Sequence, residues 1–390
     1  HLDHTGYLPR LLKQGFKGKV LGTAPTLAIA AIILRDSAKI HEEEAEKANK
    51  EGYSKHSPAL PFYTLEEAES SIDLFQVAEP DQWINLSQKA QLRFSYVGHI
   101  LGATYITLKI DEKDYVFSGD IGRPQDLLLR DPQRPEWADY LFLESTYGNK
   151  LHPEEDVEDL LIELVNKTIN EHGILLIPSF AVERLQLLMV ILWRLYQKNR
   201  IPNIPIFIDS PMGTDVLDLF KKFPQWHKMP LSDLRAMCDH MTLISSYRDT
   251  WKTIDDPRPK IVIAGSGMIT GGRILTYLKQ KVDIETTTVL IVGYQAEGTR
   301  GRKLLEGATE LRIFGKDHEV KAAVVHLESL SAHADQSELM NWLSDIKNIP
   351  ENTFLIHGEP EAMEGFKIKI EESLRWRVTI PDLWDTIQLM

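Results

Sequence analysis

The chain has 390 residues, of which 43% are hydrophobic and 26% charged, and its formal net charge at pH 7 is −13. This composition predicts an ordinary globular protein of about two domains, and its longest apolar run, Leu187 to Trp193, is far too short to cross a membrane. The acidic balance argues against non-specific attraction of the whole surface to a polyanion, and the single cysteine, Cys238, excludes an intramolecular disulfide and fits a cytoplasmic protein.

The first four residues, His1-Leu2-Asp3-His4, combine two imidazoles with a carboxylate. Such a set suits a pair of divalent ions. The run matches the second half of a His-x-His-x-Asp-His pattern, so we expect a preceding stretch of the natural chain to carry one more histidine. Short His/Asp runs also occur as capping or surface segments, and only the rest of the chain can decide between these readings.

Residues 1 to 150 are predicted to contain helices followed by strands of period two. The helices are expected at Leu8 to Gln14, Thr26 to Asp36 and Ile40 to Asn49. The strands are expected at Val20 to Thr23, Arg93 to Tyr96, Tyr105 to Leu108, Tyr115 to Phe117 and Tyr140 to Glu144. His99 and Asp120 each follow an apolar run and stand next to glycine. Side chains at strand ends are gathered by loops, so both are candidate ligands.

After Lys150 the pattern changes to regular alternation of strand and helix, which predicts a doubly wound parallel sheet. Its strands are expected at Gly173 to Pro178, Ile204 to Asp209, Lys260 to Ala264 and Val289 to Val292, and its helices at Ala181 to Gln197, Thr214 to Phe223 and Arg273 to Lys281. From residue 322 a last run follows, with strands at Val324 to Leu327 and Thr353 to Ile356 and helices at Gln336 to Ile346 and Glu361 to Leu374. Because candidate ligands lie in residues 1 to 120 and again at His357, the middle region is predicted to be an insertion.

Six motifs follow in a fixed order: HLDHTG, GHILGA, FSGD, ESTYG, LSAHAD and LIHGE. In this set and over nearly its whole length, the chain resembles the metallo-β-lactamase-fold nucleases with a β-CASP insertion, the group of RNase J and the cleavage and polyadenylation endonuclease. The resemblance implies an α/β fold, an αββα sandwich incomplete at its N-terminus with an inserted doubly wound β-CASP domain. It divides the chain into residues 1–150 and 322–390 for the lactamase domain and 151–321 for the insertion.

The same resemblance implies a binuclear zinc site in the complete protein. One ion would be held by His1 and His99, the other by Asp3, His4 and His357, with Asp120 bridging the two. Imidazole nitrogens and carboxylate oxygens are suitable zinc donors. Since the first histidine of the motif is absent from the sequence as given, we expect the first site to be impaired here.

Glu144 and His333 match two further positions of the family. The resemblance implies that His333 donates a proton to the leaving 3′ oxygen while Glu144 holds and charges its imidazole, with Asp120 as the third catalytic group. A carboxylate neighbour favours the protonated form of a histidine, which fits that role. The alternative for Glu144 is a carboxylate that caps a helix or loop.

RNA is the implied substrate, because a histidine at the position of His357 resembles the RNA-processing members of the family. Glycine-rich turns offer backbone N–H groups to phosphates, and the candidate substrate contacts are Ser266, Gly267, Arg273, Arg300 and Arg302. A plain tight turn explains each glycine-rich segment about as well.

The favoured function is therefore a zinc-dependent ribonuclease that leaves 5′-phosphate and 3′-hydroxyl ends, with cleavage either internal or from an end. A lactamase-fold hydrolase of small esters or thioesters is the first alternative, and a non-catalytic RNA-binding relative is the second. No appended RNA-binding module is recognisable in the sequence. Affinity for RNA is therefore expected from the inserted domain, from partners or from a homodimer, and no membrane association is expected.

Overall fold

A computed structural model describes residues 1–52, 54–154 and 156–389. The first part of the chain is mixed helix and strand. Its helices are α1 (Leu2–Thr5), α2 (Leu8–Lys13), α3 (Ala24–Glu51) and α4 (Leu65–Ile72), and its strands are β1 (Val20–Gly22), β2 (Phe75–Val77), β3 (Ile84–Asn85), β4 (Ala90–Tyr96), β5 (Thr104–Ile110), β6 (Lys113–Phe117) and β7 (Tyr140–Glu144).

The middle of the chain alternates helix and strand, as its sequence predicts. The helices here are α5 (Val157–Asn170), α6 (Arg184–Gln197), α7 (Pro211–Lys222), α8 (Leu231–His240), α9 (Tyr247–Asp255), α10 (Ile274–Lys281) and α11 (Arg300–Leu305). The strands are β8 (Ile174–Pro178), β9 (Ile206–Asp209), β10 (Thr242–Leu243), β11 (Lys260–Ala264), β12 (Thr287–Val292), β13 (Glu310–Ile313), β14 (Lys316–Glu319) and β15 (Ala323–Leu327). The chain ends with α12 (Gln336–Leu343), β16 (Asn352–Ile356), α13 (Pro360–Leu374) and β17 (Val378–Thr379).

A seven-stranded sheet joins the first and last parts of the chain in the order β17-β16-β7-β6-β5-β4-β3. Strands β3 to β6 are antiparallel neighbours, whereas β6, β7, β16 and β17 pair in parallel. Asp111 and Glu112, between β5 and β6, both have positive φ, which is the geometry of a type I′ hairpin turn. The sheet confirms that the two ends of the sequence fold together, and β1 and β2 form a separate parallel pair.

The second large sheet is six-stranded and parallel, in the order β10-β9-β11-β8-β12-β15. Its central strands β8, β11 and β12 are buried along their whole length. Parallel sheets covered by helices on both faces require such continuous apolar strands. The predicted doubly wound sheet is confirmed.

The strand at the second predicted domain boundary belongs to the six-stranded sheet. The strand that the sequence assigns to the returning lactamase part, Ala323–Leu327, pairs in parallel with Thr287–Val292 and so forms the edge of the six-stranded sheet. By sheet membership Ala323–Leu327 lies with the inserted lobe, and the domain boundary at residue 322 stays a prediction. Five residues of apolar character cannot reveal which of two sheets they join, because both offer the same kind of partner.

The two helices predicted between Thr26 and Asn49 are a single helix, α3. No glycine or proline interrupts Ser37-Ala38-Lys39, so nothing stops the helix there. It begins at Thr23, whose hydroxyl accepts from the Thr26 N–H, and ends at Gly52 in the left-handed conformation, with φ of 69°. Among the described residues no helix combines the length and the apolar character that a membrane crossing requires.

A continuous apolar core links the two lobes. It includes Leu128 and Leu129, from a loop of the seven-stranded lobe, together with Leu188 and Trp226 of the inserted lobe. These side chains are at most 8% exposed. Burial of this kind is the dominant favourable term in association, so the lobes are held in one fixed relation.

The connections between the lobes run side by side. Tyr147 on the outgoing segment forms a β-bridge with Asp335 on the returning one. The Gln336 N–H donates to the Lys150 carbonyl at 3.0 Å, and the His152 N–H donates to the Asp335 carboxylate at 2.9 Å. This pair of crossing segments passes directly beside the predicted catalytic residues.

Candidate metal centre

Four of the predicted residues lie at one edge of the seven-stranded sheet. Strands β4, β6, β7 and β16 point in the same direction, and their carboxyl ends deliver His99, Asp120, Glu144 and His357 respectively. This is where loops collect functional side chains in such sheets. The short helix α1 brings His1, Asp3 and His4 against the same edge.

The backbone turns sharply at two of these positions. His99 has φ of 62° and His357 has φ of 55°. Both values lie in the left-handed region that residues other than glycine rarely adopt. Gly122 lies against the first turn, and a Cβ placed on it would be 2.0 Å from the His99 nitrogen. Only glycine therefore allows the loop after β6 to support His99.

The first group of donor atoms surrounds the buried carboxylate of Asp120. Its Oδ2 lies 3.2 Å from Nε2 of His99 and 3.1 Å from Nε2 of His4. Nδ1 of His1 lies 3.4 Å from the same nitrogen of His99. His1, His99 and Asp120 each offer an atom within 4.8 Å of the others.

The second group lies on the more exposed side. Nε2 of His357 lies 3.2 Å from Oδ2 of Asp3, and Nε2 of His4 lies 3.8 Å from that oxygen. His357 also approaches Oδ1 of Asp120 with its Nδ1, at 3.4 Å. Asp120 thus stands between the two groups, and its role as a bridge between two ions stays a prediction.

Glu144 and His333 form a pair that adjoins the two groups, and each offers an atom within 4.8 Å of Asp120 and His357. Nδ1 of His333 lies 3.1 Å from Oε2 of Glu144, and the side chains are only 19% and 1% exposed. The other carboxylate oxygen accepts from the Ile121 N–H. Nε2 of His152 lies 2.9 Å from the His333 carbonyl. His333 is therefore held at both its ring and its backbone.

Electrostatics separates the imidazoles in this cluster. Burial, with the neighbouring His333, lowers the pKa of His99, which favours the neutral form that binds metals. Burial also lowers the pKa of His333, but the Glu144 charge and hydrogen bond outweigh it and leave the pKa raised. The pKa of Asp120 is lowered, because hydrogen bonds from His4 and His99 outweigh its burial.

The residues present fit divalent ions. Oδ1 of Asp120 and Nδ1 of His99 are buried and make no hydrogen bond to any described residue. A carboxylate buried with an unused oxygen among imidazoles is costly without a cation. Nitrogen and carboxylate donors in two adjoining groups are the set that zinc takes in binuclear hydrolases.

The predicted substrate contacts lie in the inserted lobe, and the arginines there have internal partners. The Arg273 side chain is 12% exposed, 3.7 Å from Asp209 and stacked 3.6 Å from the Tyr247 ring centroid. Arg300 donates to the carbonyls of Arg312 and Ile269, and Arg302 pairs with Glu306 at 2.7 Å. Ser266 accepts from its own turn, and the Gly267 carbonyl accepts from Gln295. The structure does not bring these five residues into the cluster of metal-ligand candidates, and their substrate role stays a prediction.

Sequence reasoning missed two contacts at this edge. His152, which belongs to none of the six motifs, holds the His333 backbone. Thr146 lies between Glu144 and His357 and contacts both side chains. Its place two residues after Glu144 in the ESTYG motif was the available signal, because the hydroxyl of a strand-end threonine commonly bonds a neighbouring group.

Comparisons with known proteins identify the family of the chain. Residues 185–304 match the family model described as the Beta-Casp domain, and residues 317–381 match that of the Zn-dependent metallo-hydrolase RNA specificity domain. Ribonuclease TTHA0252 of Thermus thermophilus is 31% identical over 370 residues, which cover 93% of this chain and 80% of the relative.

Two archaeal proteins of Methanocaldococcus jannaschii are also similar. An RNase J-like protein is 30% identical over 98% of this chain and 85% of its own length. Transcription termination factor FttA is 29% identical over the whole chain, which spans only 62% of that relative.

Proposed function

The chain belongs to the β-CASP family of zinc-dependent RNA-cleaving metallo-hydrolases, and from that premise we propose that it cuts RNA phosphodiester bonds at the sheet edge described above. The ends left would be a 5′-phosphate and a 3′-hydroxyl. One observation carries the proposal: six donor residues in two adjoining groups stand beside a histidine–carboxylate pair. No part of that arrangement reads a base.

The proposed ligands divide as the groups do. His1 and His99 would hold one zinc ion, Asp3, His4 and His357 the other, and Asp120 both. When bound, two such ions acidify a coordinated water and offset negative charge on the phosphate oxygens. The second group is more exposed than the first, so substrate would approach from its side.

Proton transfer would fall to His333. Its Nδ1 faces Glu144, which leaves the Nε2–H as the donor to the departing 3′ oxygen. Burial lowers the pKa of His333, but the Glu144 charge and hydrogen bond raise it by more, and a raised pKa favours the acid form that this step requires. Glu144 would orient the ring and stabilise its charge.

The test is cleavage of a labelled single-stranded RNA by the zinc-loaded protein, with DNA of the same sequence in parallel. We expect RNA products with a 5′-phosphate and a 3′-hydroxyl, recognised by sensitivity to a 5′-monophosphate-dependent exonuclease. Products with 2′,3′-cyclic phosphate ends, or hydrolysis of small esters without RNA cleavage, would contradict the proposal. The variant Asp120→Asn, which changes a candidate metal ligand, serves as the inactive reference.

A further inference from the structure

Helix α9 carries two large aromatic side chains on its outward face. Its inward face consists of Thr250, Thr253 and Ile254, which are all buried. Tyr247 and Trp251 lie four positions apart on the other side, where they are 57% and 41% exposed. Residues at this spacing are neighbours on a helix surface. Single exposed apolar residues are ordinary on a protein, but two aromatic rings side by side mark a candidate binding surface.

The Tyr247 ring is held in place from one side. The Arg273 guanidinium stacks on it, 3.6 Å from the ring centroid, and its Nη1 donates to the Thr250 hydroxyl at 2.6 Å. That hydroxyl donates in turn to Asp209, a fully buried carboxylate. Among the described residues no second ring or cation packs on Tyr247. A fixed ring with a free face can stack with a flat ligand at little further entropic cost.

Cations accompany both aromatic side chains. Arg248 follows Tyr247 and Lys252 follows Trp251, and both cationic residues are exposed. Lys252 pairs with Asp249 at 2.8 Å, whereas Arg248 has no ion-pair partner within the described part of the chain. The chain as a whole has a net charge of −13, so a free cation beside an aromatic pair is a local exception. It favours a partner that is both anionic and aromatic, and nucleic acid has both properties.

This surface begins at the edge of the six-stranded sheet that faces the candidate metal centre. At that edge Tyr294, which follows β12, donates to the carboxylate of Glu359, two residues after His357. Tyr247 begins the helix that follows β10 in the same parallel sheet. β10 lies four strands from β12, so at ~4.8 Å per strand the two positions are ~20 Å apart along one edge. A strand several nucleotides long can reach from one to the other.

We propose that the outward face of α9 is a binding surface for single-stranded RNA, on which bases stack against Tyr247 and Trp251 while Arg248 contacts the phosphate backbone. Stacking on aromatic rings tolerates every base, so this surface adds affinity rather than sequence preference. Arg273, a substrate contact by the sequence prediction, then acts indirectly by holding the Tyr247 ring. The inference rests on the proposed function, because it takes RNA as the substrate.

The test is equilibrium binding of a fluorescent single-stranded RNA to the whole chain, with a chelator present so that the RNA stays intact. Tyr247→Ala should weaken binding ~5–150-fold, the range for loss of one stacked base. Tyr247→Phe keeps the ring and should bind as the parent does. Phe314→Ala is the matched control. Phe314 is 59% exposed and has a cation, Lys279, 6.0 Å from its ring centroid. Lys279 lies in the last turn of α10, which runs away from the edge that carries Tyr247.

Two further measurements separate stacking from charge. The salt dependence of affinity follows the number of phosphates neutralised, so it should be equal in Tyr247→Ala and the parent but weaker in Arg248→Gln. An oligomer of the same length without bases should bind equally to Tyr247→Ala and to the parent. Arg273→Lys keeps a cation beside Asp209 but loses the flat guanidinium. It should weaken RNA binding, whereas a simple phosphate contact would survive the change.

Parental behaviour of Tyr247→Ala, Arg248→Gln or Arg273→Lys overturns the inference. So does a parent that binds RNA no better than the oligomer without bases, or a loss in Phe314→Ala as large as that in Tyr247→Ala. If the zinc-loaded parent does not cleave RNA while the binding results come out as expected, the proposed function fails and this inference stands. Cleavage by the parent with unchanged binding in Tyr247→Ala removes this inference alone.

Discussion

At the scale of single residues, the orientation of His333 depends on Glu144. Glu144 receives hydrogen bonds from the Ile121 N–H and the Thr146 hydroxyl as well as facing His333. A carboxylate that several donors hold keeps one position, and through its contact with Nδ1 of His333 it holds the imidazole in one orientation. The proposed proton donor is therefore set before substrate arrives.

Replacement of His333 tests that role. We expect His333→Ala to lower kcat for RNA cleavage by ~10²–10⁴-fold, the range in which general acid catalysis contributes, with zinc content unchanged because His333 is not among the proposed ligands. The measurements are steady-state kinetics and metal analysis. His56→Ala, at an exposed position, is the control, and full cleavage by His333→Ala would remove the assignment.

The turn at His99 permits a second residue-scale test. In Gly122→Ala, the new methyl group would meet the His99 backbone, so the loop after β4 must shift. We expect loss of one of two bound zinc ions or a large fall in its affinity, measured by metal analysis after dialysis. Gly271→Ala is the control, since a Cβ there has no atom within 4 Å; equal zinc content in both variants would contradict the expectation.

At the scale of elements, helix α12 is tied to the site by its cap. Asp335, two residues after His333, accepts the Glu338 N–H through Oδ1 and the His152 N–H through Oδ2. The Asp335 N–H in turn donates to Oε2 of Glu338, which completes a capping box. One carboxylate thus begins the helix and fastens both connecting segments.

Removal of that carboxylate should affect stability and turnover together. Asp335→Ala is expected to cost ~1–3 kcal/mol, the sum of a lost cap and an unsatisfied buried N–H, and to lower kcat because His333 loses its support. Asp156→Ala removes the equivalent cap of α5, away from the site, and should cost ~1 kcal/mol with kcat unchanged. Urea denaturation and kinetics on both variants measure this, and equal kcat in both would refute the coupling.

Prediction from sequence succeeded for long periodic elements and for ordered motifs. The family matches confirm the fold class and the RNA-cleaving hydrolase predicted from six short motifs. The hairpin of β13 and β14 was missed because its strands are only four residues long and mostly polar. Phe314 and Gly315 in its turn both have positive φ. The contacts of Thr146 with His357 and of His152 with His333 were missed for another reason: these partners lie 211 and 181 positions away.

At the scale of the whole molecule, a buried carboxyl group lies where the two lobes meet. Glu183 precedes α6 with φ of 68°, is 2% exposed, and neither carboxylate oxygen has a hydrogen-bond partner among the described residues. Asp126, from the loop of the other lobe, is the charge that acts on it. Burial and this like charge raise the pKa of Glu183 well above the usual value.

This shift gives stability a definite pH dependence. A carboxyl whose folded-state pKa is raised stabilises the fold below its unfolded pKa, and that contribution is lost as the pH rises through the folded value. Glu183→Gln should therefore resist urea better than the parent at pH 8 and by a smaller margin at pH 5. The exposed substitution Glu372→Gln is the control, and a difference that does not grow with pH would contradict the expectation.

The side-by-side passage of the two connecting segments constrains how the enzyme can work. Any swing of the inserted lobe must bend these segments, and one of them carries His333 while the other adjoins Glu144. A swing of the inserted lobe would therefore move His333 relative to Glu144. RNA would then have to reach and leave the metal-ligand candidates without such a swing, and a cross-link between the two connecting segments should leave cleavage intact.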